Sequence, residues 1–453
     1  MKSLKKIALT SLALSALATA GDDIAKKITS FYNVASNGAI VIEAKKSGDG
    51  YDIKFSPKNS VYQKIFNQNG ALHISVDKGF FSTTLESKGE LFSIFSKELQ
   101  NDIKKDIKVS PKYEYRGKIG FSGTLEEKFR LEPFKVENKE VSIDSSEVVI
   151  NTEIDLDKQT GVLNLNYNQL LIKPKKEEGL FKISGLKLQN EITDPPVDGF
   201  VLYSKSKINI KEVEFLATKP KKEHIKFAAA LDSYIKKVDS KLLDLYISAT
   251  VNSNDIDTIV LAKGVKEVKN SWLFKNLGSE GFIEFLKLSK KMEEAQNKLA
   301  QASQSQNNNE ALAKYMATMD EINNKLVPIF NKMFLKDKTK LILNLELNSD
   351  KTNYLKADLT YKAAPIKGNM NSAFISLAAQ GLAIVDGDIE VKIDRNLANT
   401  INPFSIMVLD MLKNKNMAHE KNGVYEFKAT LKGGNIIVNG KSYTLQEFSK
   451  ALF

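Results

Sequence analysis

Most of this chain alternates. From about residue 38 to 222, and again from 243 to the C-terminus, apolar and polar side chains repeatedly exchange places at every second position. Successive side chains of a strand point to opposite faces, so such alternation means one face buried and one face wet, the habit of antiparallel sheet. Ala39 to Glu43 and Tyr51 to Phe55 flank Ser47-Gly48-Asp49-Gly50, a hairpin signal. Leu72, Ile74 and Val76 alternate with His73 and Ser75, while Tyr113, Tyr115, Ile119 and Phe121 surround Gly117 and Gly120. Glu147 to Leu156 and Val162 to Ile172 flank Asp157 to Gly161 as a second hairpin.

The C-terminal half repeats the pattern. Leu243 to Val251, Leu341 to Leu347, Leu355 to Tyr361 and Ile389 to Ile393 read as strands. Gly433-Gly434 and Asn439-Gly440 are two-residue hairpin turns, so three short strands with Tyr425, Ile436 and Tyr443 should close the chain. Helical spacing is confined to a few segments: Glu90 to Lys105, Asp255 to Val268, Ala373 to Ile384, and Asn396 to Lys413 with a break near Pro403. Residues 280–335 stand apart. Phe282, Phe285, Leu286, Ser289, Met292 and Ala295 form one stripe; Tyr315, Met316, Met319, Ile322, Leu326 and Met333 belong to a second. The two predict an αα-hairpin laid on the sheet. Tyr315, Met316, Met319, Ile322 and Met333 are a candidate apolar groove, since Met adapts to irregular partners. Ordinary core packing of the same stripe is the competing reading.

The first twenty residues say where the chain works. Lys2, Lys5 and Lys6 precede an apolar run from Ile7 to Leu17, and Ala18-Thr19-Ala20 offers small residues at −3 and −1 before Gly21. That is the plan of a secretory signal peptide, cleaved after Ala20. A retained membrane anchor would need roughly 20 apolar residues, more than this run supplies. The expected site is the periplasm. The segments are then the signal at 1–20, a β-rich region at 21–222 ending at Lys219-Pro220-Lys221-Lys222, and an α+β region at 223–453.

Zero cysteines exclude thiol nucleophiles, thiolate metal sites and disulfides. The formal net charge of +11 is spread along the chain. In an exported protein, anionic lipid or another envelope protein is a better partner for it than nucleic acid. His73, His224 and His419 lack helically spaced partners, and no zinc site follows from them; His73 is expected on the wet face of a strand and the other two in loops. Gly440-Lys441-Ser442 resembles the end of a phosphate-binding loop, but the preceding glycine is out of register and a hairpin turn explains it. Asn252 to Asp257 lacks the glycine and terminal glutamate of a calcium loop and reads as a helix cap. Acidic neighbours such as Glu126-Glu127 point to opposite faces of a strand and do not converge. Neither catalytic residues nor a cofactor are expected.

The order of events in the C-terminal half carries a resemblance. Lys325-Leu326-Val327-Pro328 ends a helix, two strands and a helical stretch follow, and Gly433 to Lys441 forms the closing hairpin. The chain resembles the YdgA-like family of bacterial envelope proteins, whose function is unknown and which brings no catalytic residues to carry over. Taken together, the expected fold is α+β, mainly a long curved antiparallel β-sheet with an αα-hairpin packed on the C-terminal half. The expected function is that of a non-enzymatic periplasmic binding or scaffold protein; lipid contact through an apolar sheet face is one form of it, and helices that simply cover that face are the competing reading. The alternatives are a structural partner of a larger envelope assembly and an enzyme with an unrecognised site.

Overall fold

The structure, a computed structural model, describes residues 22–35, 40–57, 72–79, 82–91, 100, 110–137, 141–175, 179–217, 223–253, 264–302 and 308–452. The signal segment with Ala18, Ala20 and Gly21 lies outside these residues. So do the Lys219 to Lys222 junction, most of the Glu90 to Lys105 segment, and residues 254–263 of the Asp255 segment. The fold is α+β, and all the strand pairings described are antiparallel. The chain divides into two compact units, one ending at His224 and the other beginning at Ile225.

The first unit is a meander in chain order. Strands β1 (Ile40–Ser47), β2 (Gly50–Pro57), β3 (Leu72–Lys78), β4 (Ser82–Glu90), β5 (Lys112–Gly120) and β6 (Thr124–Leu131) pair in succession. β6 then pairs with β9 (Val148–Asp155), followed by β10 (Thr160–Pro174), β11 (Gly179–Ile192) and β12 (Ser204–Ala217). The short β7 (Phe134–Glu137) and β8 (Val141–Ser145) continue the edge of β10. Alternation sorts the faces as expected: Leu125, Phe129 and Leu131 of β6 are buried, while Glu126, Lys128 and Arg130 are not. The inner face is sealed by helix α1 (Asp22–Ala35), whose Ile28, Phe31 and Tyr32 lie at helical spacing and join the core. Each fully buried residue of this kind contributes roughly 1.5–3 kcal/mol. Phe121 departs from its expected place in a strand: it sits in the turn after β5 and is 94% exposed. Gly120 and Gly123 close that turn, with Gly123 at φ +77°, and take Phe121 out of the ladder.

The second unit is also a meander: β13 (Glu223–Lys237), β14 (Leu242–Asn252), β15 (Glu267–Gly278), β16 (Lys340–Asn348), β17 (Thr352–Tyr361), β18 (Val385–Asp394) and β20 (Val424–Lys432). β19 (Ala418–Lys421), β21 (Asn435–Val438) and β22 (Lys441–Thr444) extend beyond β20. Helices α2 (Ser279–Ala302) and α3 (Asn308–Met333) form the expected αα-hairpin between β15 and β16. The other helices are α4 (Met370–Gln380), α5 (Arg395–Ile401), α6 (Pro403–Asn414) and α7 (Leu445–Leu452). The break at Pro403 is where expected: Asn402 caps α6 through its side chain, and Pro403 occupies the first turn. Gly433-Gly434 and Asn439-Gly440 have positive φ at both positions, as two-residue hairpins require.

Four local expectations are corrected. Glu267 and Val268 begin a strand rather than ending a helix, paired with Asn252 and Val251. His224 and His419 lie in β13 and β19, not in loops, because alternation runs through both positions. The closing strands are followed by α7, so Leu445 starts a helix instead of continuing β22. Helices α1 and α7 were both unanticipated.

Candidate functional site

The two units treat their apolar faces differently. Of the ten largest fully buried side chains, nine belong to the first unit, and Tyr425 alone to the second. Among the described residues fourteen large hydrophobics are exposed, and twelve of those lie in the second unit. Single exposed hydrophobics are normal, but a contiguous group on one surface marks a place where something binds.

Strand register shows which of them are contiguous. One row across the sheet reads Ile247, Trp272, Leu343, Ala357, Ile389 and Ala429. The row on one side begins Leu231, Ala249, Asn270, Leu345 and Leu355; that on the other begins Ile235, Leu245, Phe274, Leu341 and Leu359. All three rows share a face. The opposite face carries Asp232, Ser248, Ser271, Asn344 and Lys356 in one row. Apolar cover runs out along the rows. At β18 and β20 the face is roofed by Val408 and Leu412 of α6 and Phe448 of α7, and Ala429 and Leu431 are buried. At β13 to β15 the same face remains open: Leu231, Ile247 and Trp272 are 38, 45 and 40% exposed. The foot of α3 closes one flank, where Phe334 meets Phe274 at 6.3 Å and Tyr361 at 5.9 Å between ring centroids. Val265 and Leu397 of α5 close the other against Val251, Val268 and Leu347. The result is an open apolar face with helices on three sides. A chain of methylenes laid there would remove the last exposed area of three large side chains, worth roughly 1 kcal/mol each.

The candidate groove residues do not line one surface. Ile322 is buried and Met319 half-buried in the seam between α2 and α3, with Leu288, Met292 and Ile329. Met316 is 55% exposed, Met333 is half-buried, and Tyr315 lines a shallow concavity between the helices with Lys291 and Lys298. Packing of the hairpin thus accounts for Met319 and Ile322. The open sheet face involves a different set of residues. Its alternation was visible in the sequence, but whether a helix covered it was not.

Polar residues with unusual settings were also considered. Glu127 is 4% exposed on the inner face of β6. It accepts hydrogen bonds from Tyr32 of α1 and from Tyr115, the latter at 2.9 Å. Burial pushes its carboxyl up to about 8, against the opposing pull of the two tyrosine hydroxyls. It is therefore protonated at neutral pH and ties α1 to the sheet. Gly117, its neighbour across β5, leaves room for this: a Cβ there would meet the Tyr115 hydroxyl at 2.8 Å and a Leu85 methyl at 2.9 Å. The glutamate pair was correctly placed on opposite faces, but the inward member was not identified as a buried anchor. His73 lies exposed between Asp52 at 2.9 Å and Asp49 at 3.1 Å, and those carboxylates raise its pKa. His224 pairs with Glu214 at 2.9 Å. The three histidines sit on three different strands, and among the described residues no group of three His, Asp or Glu side chains could hold a metal. No described helix is long and apolar enough to cross a membrane.

No curated protein and no solved structure matches the chain. A family model does, over residues 95–446, which takes in the open sheet face, the helical hairpin and the closing strands. By that match the chain belongs to DUF945, a family of bacterial proteins of unknown function.

Proposed function

We propose that the protein is a non-enzymatic binding protein of the bacterial cell envelope, which takes the acyl chain of a lipid on the open face of β13 to β15. One observation carries this reading: Leu231, Ile247 and Trp272 are exposed on one largely apolar face, where Ser233 and Asn270 are the polar members of their rows. A site of this kind needs apolar walls and few polar groups. Trp272 is also the chain's single tryptophan, and its amphipathic ring suits the boundary between an acyl chain and water. Export through the segment Met1 to Ala20 supports an envelope setting, as does the likeness of the closing hairpin to YdgA-like proteins.

The test is to purify the mature protein from the periplasm, extract it with organic solvent and identify lipids by mass spectrometry. Co-purifying lipid, lost on Trp272→Glu or Ile247→Asp substitution, is the expected result. A lipid-free extract from a protein that also fails to take up added fatty acid would sink the proposal.

A further inference from the structure

A pocket of about 260 Å³ opens at the foot of α3, lined by Phe334, Leu335, Lys336, Lys338, Tyr361 and Pro365 among others. Its chemistry is mixed. Phe334 and Tyr361 belong to the aromatic group that rests on Phe274, at the flank of the open sheet face. Lys336 and Lys338 are exposed, and neither forms an ion pair among the described residues. The Tyr361 hydroxyl is buried yet has no hydrogen-bond partner among the described residues. A buried hydroxyl left unpaired costs about 1–3 kcal/mol, and this one is closed to the solvent that fills the pocket, so Tyr361 offers its ring to the site. Asp337, between the two lysines, is engaged by Lys362.

Lysines gather at this end of the ladder, with Asp239 and Asp244 among them, whereas three lysines at the far end are paired. Lys236, Lys241, Lys275 and Lys340 all lie at the same strand ends as the pocket, and none has an ion-pair partner among the described residues. At the far ends, Lys266 pairs with Asp350, Lys351 with Asp394 and Lys269 with Glu267. The volume is too small for an acyl chain but ample for a carboxylate or phosphate group.

We propose that this pocket seats the anionic head group of a lipid whose acyl chain lies on the adjoining sheet face. The proposal rests on the acyl-binding reading above and adds head-group selection to it. The head group meets the charges of Lys336 and Lys338 beside the Tyr361 ring. The open face beside Phe274 then receives the chain.

Trp272 emission of the mature protein reads both steps. The probes are lysophosphatidic acid and lysophosphatidylcholine of the same chain length, both below micellar concentration, and inorganic phosphate. The anionic lysolipid is expected to bind at least tenfold more tightly than the zwitterionic one. Lys336→Glu with Lys338→Glu should bring the two to parity. Equal binding of both lysolipids to the native protein would overturn head-group selection while leaving the acyl reading standing. Phosphate alone competing at the lipid's own affinity would make the pocket a free-anion site and overturn the lipid assignment. If neither lysolipid shifts Trp272, the acyl reading fails and takes this inference with it.

Discussion

At the scale of residues, the chain uses a few polar groups to fix contacts that apolar packing alone would leave loose. Glu127 is the clearest case. Its folded pKa lies above its unfolded value of about 4.5, so the native state holds the extra proton between those two values. Stability is then greatest below about pH 4.5 as far as this group is concerned, and falls as pH rises toward about 8. The shift corresponds to a loss of up to about 5 kcal/mol across that window. Urea unfolding at pH 5 and pH 8 should show the decline, and Glu127→Gln should flatten it. An unchanged pH slope in that variant would remove Glu127 as its source. Gly117→Ala should cost about 1–3 kcal/mol, since its methyl would push Tyr115 away from Glu127. Asp394 acts in the other unit. Burial alone would raise its carboxyl, but Lys351 and the backbone N–H groups of Asn396 and Leu397 outweigh this and hold it below the usual carboxylate range. It caps α5, and Asp394→Ala should cost about 1–2 kcal/mol in the same unfolding assay.

At the scale of elements, alternation made the strands readable because each sheet has one wet face. The β16–β17 and β20–β21 hairpins fell where the sequence placed them. The α5–α6 break was legible through Pro403, whose missing N–H belongs in a first helical turn. Helix α7 was not, since Tyr443 and Leu445 prolong the alternation of β22 into it. A signal was there: Thr444 and Glu447 form a reciprocal capping box, with Glu447 accepting from the Thr444 N–H at 2.8 Å and Thr444 from the Glu447 N–H at 3.2 Å. The apolar stripes of α2 and α3 were legible as well, but not which members would be buried. That depends on how closely the helices approach, and two glycines set the distance. A Cβ on Gly278 would lie 2.0 Å from the Lys332 carbonyl oxygen, and one on Gly281 would lie 2.5 Å from the Met333 nitrogen. Gly281→Leu should therefore lift the foot of α3 from the start of α2, at a cost of more than about 2 kcal/mol. Urea denaturation checks the loss; a wild-type midpoint would show that the hairpin can be moved without penalty.

At the scale of the whole chain, alternation specifies an apolar face without specifying what covers it. In the first unit α1 covers it, anchored through Tyr32 and Glu127. In the second, α6 and α7 cover β18 and β20 but leave β13 to β15 open. That difference depends on chain connections far from the strands themselves, which is why strand patterns could not reveal it. It is also what turns a DUF945 sheet into a candidate binding surface. The proposed envelope setting makes its own prediction: N-terminal sequencing of the mature protein should begin at Gly21. The account depends most on acyl chains lying against Trp272, and the chain has no other tryptophan to confuse the reading. Fatty acids brominated along the chain quench a tryptophan they touch. Titrating them into the mature protein should extinguish most Trp272 emission, saturably, while the unbrominated acid does not. Emission that stays undiminished as the brominated acid is raised to saturation would contradict the account.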